Sequence, residues 1–170
     1  MTNPCSTITY QPDWTREQRR RGVFEPWKAM IRSLRRYQAL SAHPLAPLLR
    51  PWLVLAHRFW SVVCAADIPI NATIEGGLQL IHPNGIVLHP DARIGPNCLI
   101  LQQVTIGTGP KPGVPHIGAN VLIGAGAKVL GGVRVGDRAR IGANAVVIDD
   151  VPDGATAVGI PAKIVREATV

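Results

Sequence analysis

The chain has 170 residues, of which 46% are hydrophobic and 5% aromatic, with 17 glycines and 15 prolines, a composition that favours one compact domain of small side chains packed in a regular repeat. Three cysteines without a CxxC pair, no signal-peptide pattern and no uninterrupted apolar stretch of spanning length argue against a disulfide framework and a transmembrane protein, and favour the cytoplasm. The formal net charge is +7, and the whole excess lies in residues 1–66, which hold ten Lys and Arg against three acidic residues.

Three helices are predicted ahead of the repeat, over residues 13–22, 26–42 and 47–64. Pro26 and Pro47 stand at the expected first position of the second and third helices, where the missing amide hydrogen costs nothing. We expect these helices to cover the open edge of the first coil of the repeat. His43 and His57 fall in this segment and are expected to be incidental.

The helical segment, residues 1–66, is also the basic part of the chain. A basic surface concentrates anions, so nucleic acid, an anionic membrane surface and an acidic glycan are the candidate partners, with a solvated helical face as the alternative. Of these we expect a peripheral contact with an anionic membrane, at its inner face, and no nucleic acid.

Aliphatic residues recur at every sixth position over the rest of the chain. This column consists of Ile68, Ile74, Leu80, Ile86, Ile94, Ile100, Ile106, Ile117, Ile123, Val129, Val135, Ile141 and Val147. Phase slips interrupt it between Ile86 and Ile94 and between Ile106 and Ile117. One hexad fits one short strand and one corner, so we predict that three hexads close a triangular coil and that the coils stack.

Three further columns support this repeat. The residues two positions before the aliphatic one are compact, as an inward-facing position requires: Ala92, Cys98, Val104, Pro115, Val121, Ala127, Val133, Ala139 and Ala145. The residues three positions after it include Asn97, Gly109, Asn120, Gly126, Gly132 and Asn144. Asn and Gly tolerate a left-handed backbone, so this column predicts the corners. Directly after the aliphatic residue stand Gly95, Gly107, Gly118, Gly124, Gly136 and Gly142.

The second phase slip leaves five extra residues, which predicts a loop over residues 107–116 that protrudes from the regular coils. Loops on rigid scaffolds commonly shape sites, although a tolerated insertion is the alternative. The segment 158–163 is expected to end the prism. We therefore divide the chain into a helical segment, residues 1–66, a repeat domain, residues 67–166, and a tail, residues 167–170.

Four segments carry a resemblance to a known family: residues 67–82, 102–107, 123–131 and 158–163. Together with the repeat they resemble serine acetyltransferases, and the relatives of those enzymes that O-acetylate bacterial exopolysaccharides, such as colanic acid acetyltransferase. The resemblance covers roughly residues 50–166. It implies an all-β left-handed parallel β-helix with a short N-terminal helical cap, assembled as a homotrimer, with acetyl-CoA bound in the groove between adjacent prisms.

The resemblance also implies a His–Asp pair, which falls on His82 and Asp67. A neutral imidazole can take the proton from an alcohol as its oxygen attacks a thioester, and a carboxylate on the other ring nitrogen fixes its tautomer. A surface histidine and a turn-capping aspartate are the alternatives. Because Cys98 belongs to the inward column, we expect direct attack without an acetyl-enzyme.

Contacts to the cofactor fall on matching positions, largely through backbone amides beside small residues. They are Gly107 and Thr108 in the loop, Ala125, Ala143, the basic residue Arg140 for the phosphates, and Lys163. Candidates for contact with the acceptor are His89, His116 and Gln102, with exposed-turn histidines as the alternative for the first two.

The acceptor is where the chain departs from serine acetyltransferases. Their Asp directly before the catalytic His is replaced by Ile81, and their Arg-His pair before a loop proline by Gly113 and Val114. Burying a zwitterion without charged partners is unfavourable. The departures therefore favour a sugar hydroxyl in exopolysaccharide biosynthesis, with L-serine, in cysteine biosynthesis, as the alternative.

Two other classes of protein are alternatives to an acetyltransferase. A γ-type carbonic anhydrase uses the same prism but needs three zinc-binding imidazoles, and the spacing of His82, His89 and His116 does not match its pattern. We therefore expect no metal. A non-catalytic basic membrane adaptor is the remaining alternative, and it predicts loss of the His–Asp pair, which is present.

Overall fold

The computed structural model describes residues 9–19, 21–40 and 44–166. The tail predicted at 167–170 and His43 lie outside the described residues. Two helices, α1 (Pro26–Ala39) and α2 (Ala46–Cys64), precede the strands. The strands are β1 (Thr73–Ile74), β2 (Gln79–Ile81), β3 (Val87–Leu88), β4 (Arg93–Ile94), β5 (Leu99–Leu101), β6 (Thr105–Gly107), β7 (His116–Ile117), β8 (Leu122–Ile123), β9 (Lys128–Leu130), β10 (Arg134–Val135), β11 (Arg140–Ile141), β12 (Val146–Val147), β13 (Thr156–Gly159) and β14 (Ala162–Arg166).

The strands form a left-handed parallel β-helix of four coils, which confirms the predicted fold class. Each coil contributes one strand to each of three sheets: β1-β4-β7-β10, then β2-β5-β8-β11, then β3-β6-β9-β12. All pairs between neighbouring coils are parallel and in register, for example Ile94 with Ile117 and Ile100 with Ile123. Every residue of the predicted aliphatic and compact columns is buried, so the core is the narrow interior of the prism.

One phase slip is placed wrongly by the sequence pattern. In the structure Leu88, not Ile86, pairs with Ile106 of the next coil, and Leu80 pairs with Ile100. The two extra residues therefore lie between Leu80 and Leu88. The column misled because Ile86 is also fully buried: it occupies the compact inward position, two residues before Leu88.

The corner column is confirmed at four of its six positions. Asn97, Asn120, Gly126 and Asn144 have left-handed backbones, with φ between 56° and 72°. The predicted corners at Gly109 and Gly132 do not, because the protruding loop rests on this edge of the prism.

The two helices cover the open end of the first coil, as predicted. Met30, Ile31 and Leu34 of α1 are buried in the same core cluster as the first inward residues of the prism. His57 of α2 is not incidental: it is 4% exposed, and its Nε2 lies 2.7 Å from the carbonyl oxygen of Ile68. The imidazole thus joins the cap to the first coil.

The helix predicted over 13–22 is wrong. Only Trp14–Glu17 forms a short 3-10 turn, in which the Asp13 carboxylate accepts from the amide of Thr15 at 3.0 Å. Hydrogen bonds and an ion pair to residues distant in sequence take the place of further helical hydrogen bonds. The Glu17 carboxylate accepts from the amide of Leu78 at 3.1 Å and pairs with Arg35 at 2.8 Å. This segment is therefore held along one corner of the prism.

The prism ends in an antiparallel hairpin, in which β14 folds back on β13 and adds a sixth strand to the second sheet. The turn lies at residues 160–161, inside the predicted terminating segment. In the described ranges, no helix has the length and apolarity needed to cross a bilayer.

Candidate active site

His82 lies in the enlarged corner of the first coil, between β2 and β3, which contains the two extra residues of the phase slip. Its backbone is left-handed, with φ of 50°, a conformation uncommon outside glycine. The turn is held by the amide of Asn84, which donates to the His82 carbonyl at 2.7 Å, and by the amide of Gly85, which donates to Ala65 at 2.7 Å. This geometry leaves the imidazole exposed to solvent.

Three other predicted site residues lie along the same edge of the prism, which we call the histidine corner (residues 82–85, 102–103, 125–126 and 143–144). Backbone hydrogen bonds of 2.8 Å link its coils, from Gln103 to Asn84, from Gly126 to Gln102 and from Asn144 to Ala125. The structure therefore stacks Gln102, Ala125 and Ala143 in successive coils beyond His82.

Gln102 has an unsatisfied polar atom at this corner. Its Oε1 is buried and has no hydrogen-bond partner, one of two such side-chain atoms in the described part of the chain. A buried acceptor without a donor is unfavourable. Gln102 is thus suited to accept a hydrogen bond from a bound molecule.

Asp67 lies at the lower edge of the first coil, next to the same turn. Its amide donates to Ile86 at 2.7 Å and its carbonyl accepts from Leu88 at 2.9 Å. Its side chain is exposed, and no hydrogen bond or ion pair joins it to His82 in this structure. The fold brings the two residues to one turn without pairing them.

A cleft of about 720 Å³ opens beside His82. One wall is the strand and turn around Ile81 and His82. The other wall comes from the helical segment: Thr15, Arg16, Gln18, Arg19, Phe24, Glu25, Pro26, Trp27 and Lys28. Lys28 is paired with Glu25 at 2.9 Å, whereas Arg19 is exposed. Sequence reasoning missed this wall, because these residues follow no period or motif.

The other two candidate histidines, His89 and His116, lie away from this corner. His89 starts the corner between the third sheet and the next coil, where its Nδ1 accepts from the amide of Asp91 at 3.2 Å. His116 is exposed on β7, between Arg93 and Arg134 of the neighbouring strands. Within one chain, the structure therefore does not bring either imidazole to His82.

The predicted loop protrudes at the same edge as His89, which we call the loop corner (residues 89–91, 107–115, 131–132 and 148–150). Gly107 accepts from the amide of Gly131 at 2.8 Å, and Lys111 pairs with Asp149 at 2.8 Å. Thr108 is exposed. Gly107 and Thr108 are thus one sheet away from Ala125 and Ala143 on the same prism.

The two basic cofactor candidates lie on the second sheet. Arg140 is exposed on β11 between Leu122 and Thr156, in the coil of Ala143. Lys163 is exposed on β14, opposite Val158. Both side chains lie on the outside of the prism, where they are accessible to an anion.

Cys98 is buried inside the prism, and burial raises the pKa of its thiol to about 12. A thiol with such a pKa is a poor nucleophile at neutral pH. Within the described ranges, no three His, Cys, Asp or Glu side chains are grouped to hold a metal ion.

Comparison with known proteins agrees with the fold. The bacterial transferase hexapeptide family (six repeats) matches residues 115–149. A serine acetyltransferase of Synechococcus elongatus is 38% identical over 142 residues, covering 79% of this chain and 58% of the relative. One of Haemophilus influenzae is 46% identical over 110 residues, covering 63% and 41%. The chain is similar to serine acetyltransferases.

Solved structures extend this similarity. A serine acetyltransferase in complex with CoA superposes with a TM-score of 0.71 at 36% identity, covering 84% of this chain and 58% of that one. The enzyme of Vibrio cholerae gives 0.72 at 33% identity, covering 87% and 57%. The chain thus spans somewhat more than half the length of these structures, so their activity and substrates are not transferred to it by similarity alone.

Proposed function

We propose that this protein is an acetyltransferase that moves the acetyl group of acetyl-CoA to the hydroxyl of a small acceptor, with His82 as general base. The observation that carries the proposal is the histidine corner, where an exposed imidazole lies beside a cleft and in line with Gln102, Ala125 and Ala143. The similarity to a serine acetyltransferase that binds CoA supports it.

In the proposed reaction, the imidazole of His82 takes the proton from the acceptor hydroxyl as the oxygen attacks the thioester carbonyl. The C–S bond then breaks, and the CoA thiolate leaves and takes up the proton. General-base help of this kind is worth about 10²–10⁴-fold in rate. Asp67 is proposed to orient the imidazole, which requires its carboxylate to turn toward the ring from its position below the turn.

The proposed assembly is a homotrimer. On one prism the predicted site residues are divided between the histidine corner and the loop corner, which are separated by the third sheet. Three prisms packed side by side, with the loop corner of each against the histidine corner of the next, would bring Gly107 and Thr108 to the groove beside Ala125. The cofactor would then lie between copies.

L-serine is the acceptor we propose first, because the relatives are serine acetyltransferases. The cleft also offers an exposed cation, Arg19, to the carboxylate of an amino acid. The second candidate is a sugar hydroxyl, which is favoured by Ile81 in place of an acid before His82 and by Gly113 and Val114 in the loop.

The test is thiol release from acetyl-CoA by the purified protein, with L-serine in one arm and a panel of sugars and nucleotide sugars in the other. We expect serine-dependent turnover that falls about 10²–10⁴-fold in His82→Ala. Val62→Ser, which changes a side chain 80% exposed on α2, is the matched control and should retain activity.

The variants separate the parts of the proposal. Turnover with sugars but not with L-serine would show that the acceptor is a sugar hydroxyl. Undiminished turnover in a folded His82→Ala would refute the general base. Asp67→Asn should lower kcat and shift the pH profile of kcat/KM, and an unchanged profile would remove the orienting role.

A further inference from the structure

Helix α2 carries a long apolar face that nothing in the described chain covers. Its exposed members follow helical spacing: Leu48, Leu49, Trp52, Leu55, Phe59, Val62 and Val63. Trp52 is 69% exposed, Phe59 59% and Val62 80%. The opposite face packs inward through Ala46, His57 and Cys64. An exposed apolar stripe of this length marks an interaction surface.

The border of this face is basic. Arg36 of α1 lines a groove with Leu49 and Trp52, and Arg50 and Arg58 line a second groove with Leu55. Residues 26–66 contain six Lys and Arg and no Asp or Glu. The face is therefore apolar in the middle and uniformly cationic at its edge.

This combination of an apolar face and a cationic border indicates which partner binds α2. A second copy packed through the same face would oppose one cationic border with another, and like charges across an interface are unfavourable. An anionic bilayer surface satisfies both features, since its acyl region accepts apolar side chains and its headgroups attract arginine. Tryptophan is also favoured at the membrane–water interface, and phenylalanine and leucine are common on the apolar face of helices that lie in it.

We propose that α2 docks on the surface of an anionic phospholipid membrane, lying in the plane of the headgroups with Trp52, Leu55 and Phe59 inserted. The helical cap then faces the bilayer, and the first coil with His82 is the coil nearest to it. Docking through α2 and the neighbouring Arg36 of α1 does not depend on the proposed reaction.

The test is cosedimentation of the full chain with vesicles of phosphatidylcholine, with and without about 30% phosphatidylglycerol. We expect binding to the anionic vesicles that weakens with salt, and little binding to phosphatidylcholine. Trp52→Ser combined with Phe59→Ser should lower binding at least tenfold. Arg36→Gln combined with Arg58→Gln should lower it about 30-fold at low salt.

Matched controls lie on the prism. Arg93→Gln with Arg134→Gln removes the same charge from the first sheet, and Ile160→Ser removes an apolar side chain 73% exposed in the terminal hairpin. Both should bind like the unchanged chain. Thermal unfolding should be the same for all variants, since every altered side chain is exposed.

Three outcomes would overturn the inference. The first is absence of binding, or equal binding to neutral and anionic vesicles. The second is an equal loss of vesicle binding in the prism controls, which would show that binding depends only on the net charge of the protein. The third is a fall in oligomeric state in Trp52→Ser with Phe59→Ser without vesicles, measured by sedimentation velocity, which would assign the face to a second copy.

Discussion

Gly124 is a position where an added methyl group should directly disturb the stacking of the coils. A Cβ built there lies 2.6 Å from the amide nitrogen of Ala143 and 2.8 Å from backbone atoms of Gly142 and Ile141. All three belong to the backbone of the next coil, which cannot rotate away as a side chain could. Gly124→Ala therefore forces the third and fourth coils apart.

The size of the effect follows from these distances. Ordinary contact begins at 3.4 Å, so the coils must separate by about 0.7 Å at this corner. The bonds from Gly124 to Ile141 and from Asn144 to Ala125, each 2.8 Å, would lengthen to the limit of hydrogen bonding. Two weakened bonds at about 1 kcal/mol each, with overpacking of about 1–3 kcal/mol, give a destabilisation of at least about 3 kcal/mol.

Thermal unfolding measures this loss, and about 3 kcal/mol should lower the Tm by about 6–12 °C for a domain of this size. Gly107→Ala is the matched control: it belongs to the same glycine column, its φ is not positive, and a Cβ there meets nothing within 4 Å. It should leave the Tm unchanged or slightly raised. Equal Tm values for the two variants would refute the role of glycine in coil spacing.

Three other perturbations test separate contacts. His57→Phe should lower the free energy of unfolding, measured by urea denaturation, by about 2 kcal/mol, because the carbonyl of Ile68 loses its buried hydrogen-bond partner. Cys98 should resist iodoacetamide at pH 8 in the folded protein and react on unfolding, since burial raises its pKa to about 12. The hydrogen bond from Lys111 lowers the pKa of Asp149, so this contact stabilises the loop above the ordinary Asp pKa and is lost as the pH falls through the lowered value. Amide exchange in the loop should rise there, and Lys111→Met should remove the dependence.

The prism could be predicted from the sequence because its repeat is local. Each hexad makes one strand and one corner, and each buries the same two columns, so a period in the chain becomes a stack in space. Where the residues of two neighbouring columns both point inward and are both aliphatic, the six-residue period does not show which residue belongs to which column. Ile86 and Leu88 are the example: either could hold the six-residue period, and only the pairing of Leu88 with Ile106 decides between them.

The rest depended on contacts distant in sequence. Trp14–Glu17 stops after one turn because the Glu17 side chain bonds to Leu78 and Arg35, and no local propensity encodes those partners. His57 looked incidental because its acceptor, Ile68, belongs to another element. The cleft wall around Trp27 was missed for the same reason. These features arise where the helical segment meets the prism, which no periodicity describes.

The enlarged corner links the irregularity of the repeat to the candidate chemistry. A regular hexad gives its corner three residues between inward positions, as at residues 101–103, and such a corner follows the prism surface. The corner at His82 has two more residues, so its turn can extend from the surface and hold an imidazole in solvent beside the cleft. The phase slip is therefore the sequence feature that marks the candidate site on a scaffold that otherwise repeats itself.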